Sequence, residues 1–371
     1  MKTQNIIDYT ETVLEPFDQL PFSPPDSLIL SWFSYFHLAS SVPEVREWRG
    51  VRLAELYRAE SFPALFHDVW EAEESRRLLS AMAASPRFRN IRVKGFTEQF
   101  DSGLEKQFAA VSLQLDRNQS YIAFRGTNTT LIGWKEDFNM AFQSPVPSQA
   151  EAARYLQRAA RHCRGILRCG GHSKGGNLAV YAAAKSSAAL RRRMERVYSH
   201  DGPGFPAAVL QEPGFHALSS RIHKTLPQSA VVGMLLEHQE PFRVVKSSRL
   251  SLLQHDPFSW EIQGQDFHYL KELAPDARYL NHTLSEWLHE LSPEARERFV
   301  DSLYTVVSSN DAKTFPELLD DWKTSLPTIA KAAASLDEDT QKFLRQTLME
   351  LAALSLKNFP SLLLPAHLPG R

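Results

Sequence analysis

Cys169-Gly170-Gly171-His172-Ser173-Lys174-Gly175-Gly176-Asn177-Leu178-Ala179 is the stretch on which the fold turns. It contains a Gly-x-Ser-x-Gly, from Gly171 to Gly175. Before it, Ile166 and Leu167 begin a short run that reads as a strand; after it, residues 176–185, with Leu178, Ala179, Val180 and Tyr181, read as a helix. In that context the pattern is a strong signal for an exposed nucleophile, whereas the same five letters in a loop are a weak one. The reason is steric. A serine on so sharp a strand-to-helix turn takes strained backbone angles. Side chains two residues to either side would meet neighbouring backbone, so both positions are glycine. The Oγ is then presented at a helix N-terminus, where the dipole and the free N–H groups favour a developing oxyanion. The plainer alternative is a glycine-rich turn with an incidental serine. The small-residue helix that follows argues against it.

Working outward, Phe124-Arg125-Gly126-Thr127 closes an apolar run, Tyr121-Ile122-Ala123-Phe124. This predicts a strand that enters a turn beside the nucleophile strand. There Thr127 offers a backbone N–H, with its hydroxyl, to an oxyanion. The N–H of Lys174, the residue after the serine, is the expected second donor. Trp134 and Asp137 are read as packing and fixing that loop. Alternating residues at Ile91 and Val93, and at Phe108, Val111 and Leu113, predict two further strands. Residues 149–163 read as a helix. Val197-Tyr198-Ser199, Ala230 to Leu236 and Phe242 to Val245 read as strands. Pro24-Pro25-Asp26 ahead of an apolar run predicts a helix start with Asp26 or Ser27 as N-cap, and residues 63–83 a second helix. Strands alternating with helices over 90–250 imply an α/β architecture with a mostly parallel sheet. From about 284 the spacing of Val300, Leu303, Tyr304 and Val307, and of Phe343, Leu344, Leu348, Leu351 and Leu354, is helical.

These segments together resemble the class 3 (fungal-type) lipases of the α/β-hydrolase superfamily. Two features point to a narrower branch: Lys174, where such lipases usually carry Leu or another apolar residue, and Asp201-Gly202-Pro203-Gly204-Phe205. With Asn5-Ile6-Ile7-Asp8-Tyr9 and Gln254-His255-Asp256-Pro257-Phe258-Ser259-Trp260, the chain is similar to the lipase-like Mbeg-like family from residue 5 to about 290. The resemblance implies an α/β-hydrolase fold and a serine hydrolase site, and leaves the substrate open.

A serine nucleophile needs a base and an acid that orients it, and in this superfamily the chain order is Ser, acid, His. His255 follows the last clear strand, in a loop, and the resemblance marks the same position. His282, beside a helix start, is the runner-up. Two acids compete. Glu237 follows the next strand, where sequence geometry favours it; Asp201 lies in a Gly-Pro turn that the family motif favours. Asp201 is taken first, with Glu237 as the alternative. His172 is expected to pack under the turn. A Ser-Lys dyad with Lys174 is rejected, because adjacent side chains at an elbow diverge. Lys174 is expected instead to bring positive charge to the site rim and favour anionic or polar substrates. Phe142, Pro145 and Pro147 read as a connecting loop, with a small lid as the alternative.

The rest of the sequence narrows the class. The 371 residues carry 42 Lys and Arg against 43 Asp and Glu, so the basic footprint of a nucleic-acid binder is absent. Arg191-Arg192-Arg193 reads as a solvated helix end. Cys163 and Cys169 cannot close a zinc site alone, so no metal is expected and no cofactor is implied. No apolar stretch approaches the roughly 18 residues of a membrane span, and the start lacks an apolar signal core, so a cytoplasmic protein is expected. The expected organisation is a hydrolase domain over 1–290 and an α-helical extension over 291–371. The expected function is cleavage of carboxylic esters, of small molecules or lipids, by Ser173, His255 and Asp201. Thioesterase, amidase or acyltransferase chemistry on the same site is the second reading, and a catalytically inactive interaction protein the third.

Overall fold

The computed structural model describes residues 3–127, 135–137, 139–140, 143–308, 331 and 333–363. Trp134 and Phe142 lie outside them. The chain forms two compact units, Met1–Lys271 and Glu272–Arg371.

The first unit is built on a nine-stranded mixed sheet. In chain order its strands are β1 (Val51–Arg52), β2 (Arg92–Asp101), β3 (Lys106–Gln114), β4 (Gln119–Phe124), β5 (Ile166–His172), β6 (Met194–His200), β7 (Ile222–Pro227) and β8 (Phe242–Val245). A short hairpin of β9 (Ile262–Gln263) and β10 (Asp266–Phe267) precedes β11 (Tyr269–Leu270), which closes the large sheet in the order β1-β2-β3-β4-β5-β6-β7-β8-β11. Strands β4 to β8 pair in parallel, while β1 to β4 and the β8–β11 pair are antiparallel. The parallel character expected from the sequence therefore belongs to the centre of the sheet, where each connection is long enough to cross over.

Side chains alternate across a strand, and the two faces separate accordingly. Tyr121 and Ala123 of β4 join one buried cluster with Leu28, Ile29 and Phe33. Ile122 and Phe124 of the same strand join another with Tyr155, Leu156, Leu178 and Ala179. In chain order the helices used below are α1 (Ile6–Thr12), α2 (Pro24–Phe33), α3 (Ala72–Ala84), α4 (Pro147–His162) and α5 (Lys174–Ala184). The cap of α2 is Ser23, not Asp26 or Ser27 as the sequence suggested. Pro24 and Pro25 occupy the first helical turn, where no N–H is needed, so Asp26 becomes the third helical residue and closes a capping box with Ser23. Helix α3 starts at Ala72, later than the helix read over 63–83; before it in that stretch only Phe62–Leu65 is helical, a single short turn.

One strand was misassigned by sequence. Ala230–Leu236 holds no strand; Val232–Met234 is a single 3₁₀ turn. The strand is β7, Ile222–Pro227, whose His223, Lys224 and Thr225 hid its apolar pattern.

In the second unit α6 (Pro275–Glu290), α7 (Pro293–Ser308) and α8 (Glu338–Leu363) are the long helices described. Trp287, Leu291 and Leu354 are its buried apolar centre. The Trp287 indole N–H donates to the Thr347 carbonyl at 3.3 Å and the Tyr279 hydroxyl to that of Ser355 at 2.8 Å. Helix α6 thus packs on α8 and goes with this unit, although its residues fall before the boundary expected at 290.

Candidate active site

Strand β5 ends at His172 and helix α5 begins at Lys174, leaving Ser173 alone to make the turn. Its backbone sits at φ 58°, ψ −135°, a region that costs a non-glycine residue roughly 1–3 kcal/mol and persists only where its surroundings enforce it. The enforcement is visible. The Ser173 N–H donates to the His200 carbonyl on β6 at 2.9 Å. A Cβ on Gly171 would lie 2.2 Å from the Gly175 carbonyl carbon and 2.5 Å from the Phe124 oxygen; one on Gly175 would lie 2.1 Å from that same oxygen. The elbow is therefore pressed against the end of β4, as the two glycines implied.

The segment after β4 lies beside the serine. A Cβ on Gly126 would stand 3.1 Å from the Ser173 Cβ and 2.6 Å from the His172 oxygen. Thr127 follows. Its hydroxyl donates to both carboxylate oxygens of Asp137, at 2.7 and 2.6 Å. Burial pushes the Asp137 carboxyl up to about 6, against the pull of the Lys174 ammonium and the Thr127 hydroxyl. Arg125 is anchored by Glu98 of β2 at 2.5 Å, and the same carboxylate meets His37 at 3.1 Å. The two partners hold the Glu98 carboxyl down, to about 2, in spite of its burial.

Asp201 follows β6 directly, with φ 49°. It is buried, its N–H bonded to the Thr225 carbonyl at 2.8 Å. Its Oδ1 accepts the Gly233 N–H at 3.0 Å, and its Oδ2 lies 2.6 Å from Nδ1 of His255. A carboxylate oxygen accepts, so Nδ1 carries the proton and Nε2 keeps its lone pair, the tautomer a general base requires. The imidazole is partly exposed, with 28% of its side-chain surface open. Glu237 is on the surface, and its backbone bridges to Phe205 through bonds of 2.8 and 3.2 Å. His282 lies within α6, exposed, 3.8 Å from Glu286. The structure thus brings Asp201 and His255 into contact and gives neither alternative such a partner.

His172 has a part the sequence did not reveal. Burial, with His255 beside it, depresses its basicity far below the ordinary imidazole range, so it is neutral. Its Nε2 lies 2.8 Å from the His255 carbonyl oxygen and must donate there. Nδ1 is then an acceptor, 3.2 Å from the Tyr35 hydroxyl. The elbow residue before the serine therefore holds the backbone of the His255 loop. Tyr35, just after α2, was not singled out by sequence because nothing local marks it.

The rim charge expected of Lys174 is not found. The side chain is buried, with Nζ 2.9 Å from Oε2 of Glu136 and 3.6 Å from Oδ1 of Asp137. Burial lowers its basicity, but the two carboxylates outweigh that and raise it. Glu136 was missed, since it follows an unremarkable Lys135 and gains meaning only from what it meets.

Three solved lipase structures show partial similarity. One is a fungal lipase in complex with an inhibitor, 15% identical, covering 60% of this chain and 77% of its own, with a TM-score of 0.37. The Rhizomucor miehei lipase–propeptide complex is 15% identical over 59% of this chain and 68% of its own, TM-score 0.34. The M37 lipase is 14% identical over 56% and 68%, TM-score 0.35. No curated protein matches the chain. The sequence profile of the Mbeg1-like family matches residues 82–305, which include β2 to β8, Ser173, Asp201 and His255, and the chain belongs to that family.

Proposed function

We propose that the chain is a serine hydrolase of carboxylic esters, lipid esters included, and that the unit Met1–Lys271 carries the reaction. The carrying observation is the 2.6 Å contact between His255 and a fully buried Asp201, with the ring of His172, the residue before the strained Ser173, 4.5 Å from that of His255. In this reading Ser173 Oγ attacks the ester carbonyl while His255 Nε2 takes its proton. Asp201 holds the imidazole in the right tautomer and stabilises the imidazolium. The tetrahedral oxyanion is received by the N–H groups of Thr127 and Lys174; the second is one of the N–H groups that a helix start leaves without an intrahelical partner. Collapse breaks the C–O bond, and His255 returns the proton to the leaving alcohol. Water then repeats the sequence on the acyl-enzyme, releasing the acid and restoring Ser173.

The test is covalent labelling. The protein and its S173A variant are treated with a fluorophosphonate probe and then assayed on p-nitrophenyl esters. Labelling and turnover in the wild type alone are expected. An unlabelled, inactive wild type would overturn the proposal in favour of a binding protein.

A further inference from the structure

The fold buries the cation that the sequence places directly after the elbow serine. A buried ammonium is costly unless paired, and an apolar side chain of similar volume is often neutral or better for stability. Glu136, which meets Lys174 Nζ at 2.9 Å, is itself fully buried and fully engaged. Its Oε1 accepts the Ser148 N–H at the start of α4 at 2.9 Å, and its Oε2 the Gln107 N–H of β3 at 3.1 Å. Glu136 is thus fixed to two separate elements. Asp137, next in sequence, stands 3.6 Å from the same ammonium and receives the Thr127 hydroxyl through both oxygens. A continuous chain of contacts, Thr127–Asp137–Lys174–Glu136, ties together the side chains of the two residues proposed to supply the oxyanion N–H groups.

We infer that Lys174 is a positioning residue for the oxyanion hole: its ammonium, seated between Glu136 and Asp137, fixes Thr127 through Asp137 and so sets the spacing of the two N–H donors. The lysine thus acts twice, through its amide on the oxyanion and through its side chain on the opposite donor. The charge matters as well as the shape. Desolvation raises the half-buried Asp137 carboxyl to about 6, and the Lys174 ammonium and the Thr127 hydroxyl pull it back toward ionisation. Without that cation the carboxyl is expected to take up a proton and to lose its grip as a pure acceptor. Arg125, whose charge Lys174 feels, is itself paired with Glu98. A donor displaced by a fraction of an ångström stabilises the ground state nearly as before and the transition state much less, so the effect belongs in kcat.

The inference rests on the serine hydrolase reading, and one set of variants separates the two. K174M, K174Q, K174R, T127V and K174Q/T127V are compared with the wild type on p-nitrophenyl butyrate, with folding checked by thermal melting. T127V keeps the backbone N–H and removes only the hydroxyl tie. K174Q keeps a donor for Glu136 and removes the charge. For K174M, K174Q and T127V a fall in kcat of about tenfold or more is expected, with KM within about twofold. K174R should retain most of kcat. The double variant should be no slower than the slower single, because both changes cut the same tether. Folded K174Q with wild-type kcat, or factors that multiply in the double variant, would overturn the inference. So would failure of both K174M and K174Q to fold, which would make the lysine a structural residue. A wild type that neither labels nor turns over would overturn the hydrolase reading itself.

Discussion

Place in the chain favoured Glu237 and the family motif favoured Asp201, and the two part at the level of single atoms. Both oxygens of Asp201 have assigned work, Oδ1 with the Gly233 N–H and Oδ2 with His255. This makes D201N unusually informative. The Gly233 N–H selects the amide oxygen at the Oδ1 position, which leaves the amide NH2 facing Nδ1. Nδ1 must then accept, the proton moves to Nε2, and the base is lost with the shape of the site preserved. A fall in kcat of about 10⁴-fold is expected. E237Q, changing an exposed side chain whose contacts are made by backbone, should leave kcat/KM within about twofold. Steady-state kinetics on the two variants decides the acid. Ser173 was legible in the sequence because its constraint is local and steric. The Lys174 side chain was not, because where it points depends on Glu136, 38 positions earlier, being locked to β3 and α4.

At the scale of elements, the elbow was legible and β7 was not, for related reasons. The elbow is defined by what its glycines exclude, and that is written in the residues themselves. Strand β7 is defined by its neighbours: it pairs in parallel with β6 and β8, and its buried Lys224 meets Glu240 at 3.4 Å, a partner outside the strand. The segment read as a strand in its place, Ala230–Leu236, turns instead to deliver the Gly233 N–H to Asp201, a purpose no periodicity encodes. The elbow argument carries a prediction of its own. In G171A and G175A the added methyl meets backbone at 2.2 and 2.1 Å, and backbone of β4 and α5 cannot swing aside as a side chain can. Each is expected to lose about 1–3 kcal/mol or more of stability. Urea denaturation would show it, and a midpoint equal to that of the wild type would refute the tight apposition of elbow and β4.

For the molecule as a whole, the sequence led to an expected division at 290; helix α6 joins α8, and the first unit ends at Lys271. The N-terminal segment, whose Ile6, Ile7, Tyr9 and Phe17 sit in the core, is also tied into the first unit by a buried cation that no pattern announced. Arg87 donates through Nε and Nη2 to the two oxygens of Asp26, at 2.8 and 2.6 Å, and both side chains are fully enclosed. Its remaining N–H groups serve the carbonyls of Glu15 at 2.6 Å, Leu20 at 3.1 Å and Pro21 at 3.1 Å. Asp26 meanwhile closes the capping box of α2 and receives the Tyr9 hydroxyl from α1 at 3.2 Å, so one ion pair joins α1, α2 and the segment between them to the chain after α3. R87M would leave a buried carboxylate without its counter-ion and three carbonyls without their donor. A loss of about 3–5 kcal/mol is expected, read as a lower urea midpoint for the first unit. The size of that loss measures the stranded charge rather than the worth of the pair. Adding D26N to R87M removes the charge while keeping an oxygen for the Ser23 N–H and hydroxyl, so it should restore part of the stability. An R87M protein as stable as the wild type, or a double variant no better than R87M alone, would show that the N-terminal segment is held by its apolar contacts and not by this ion pair.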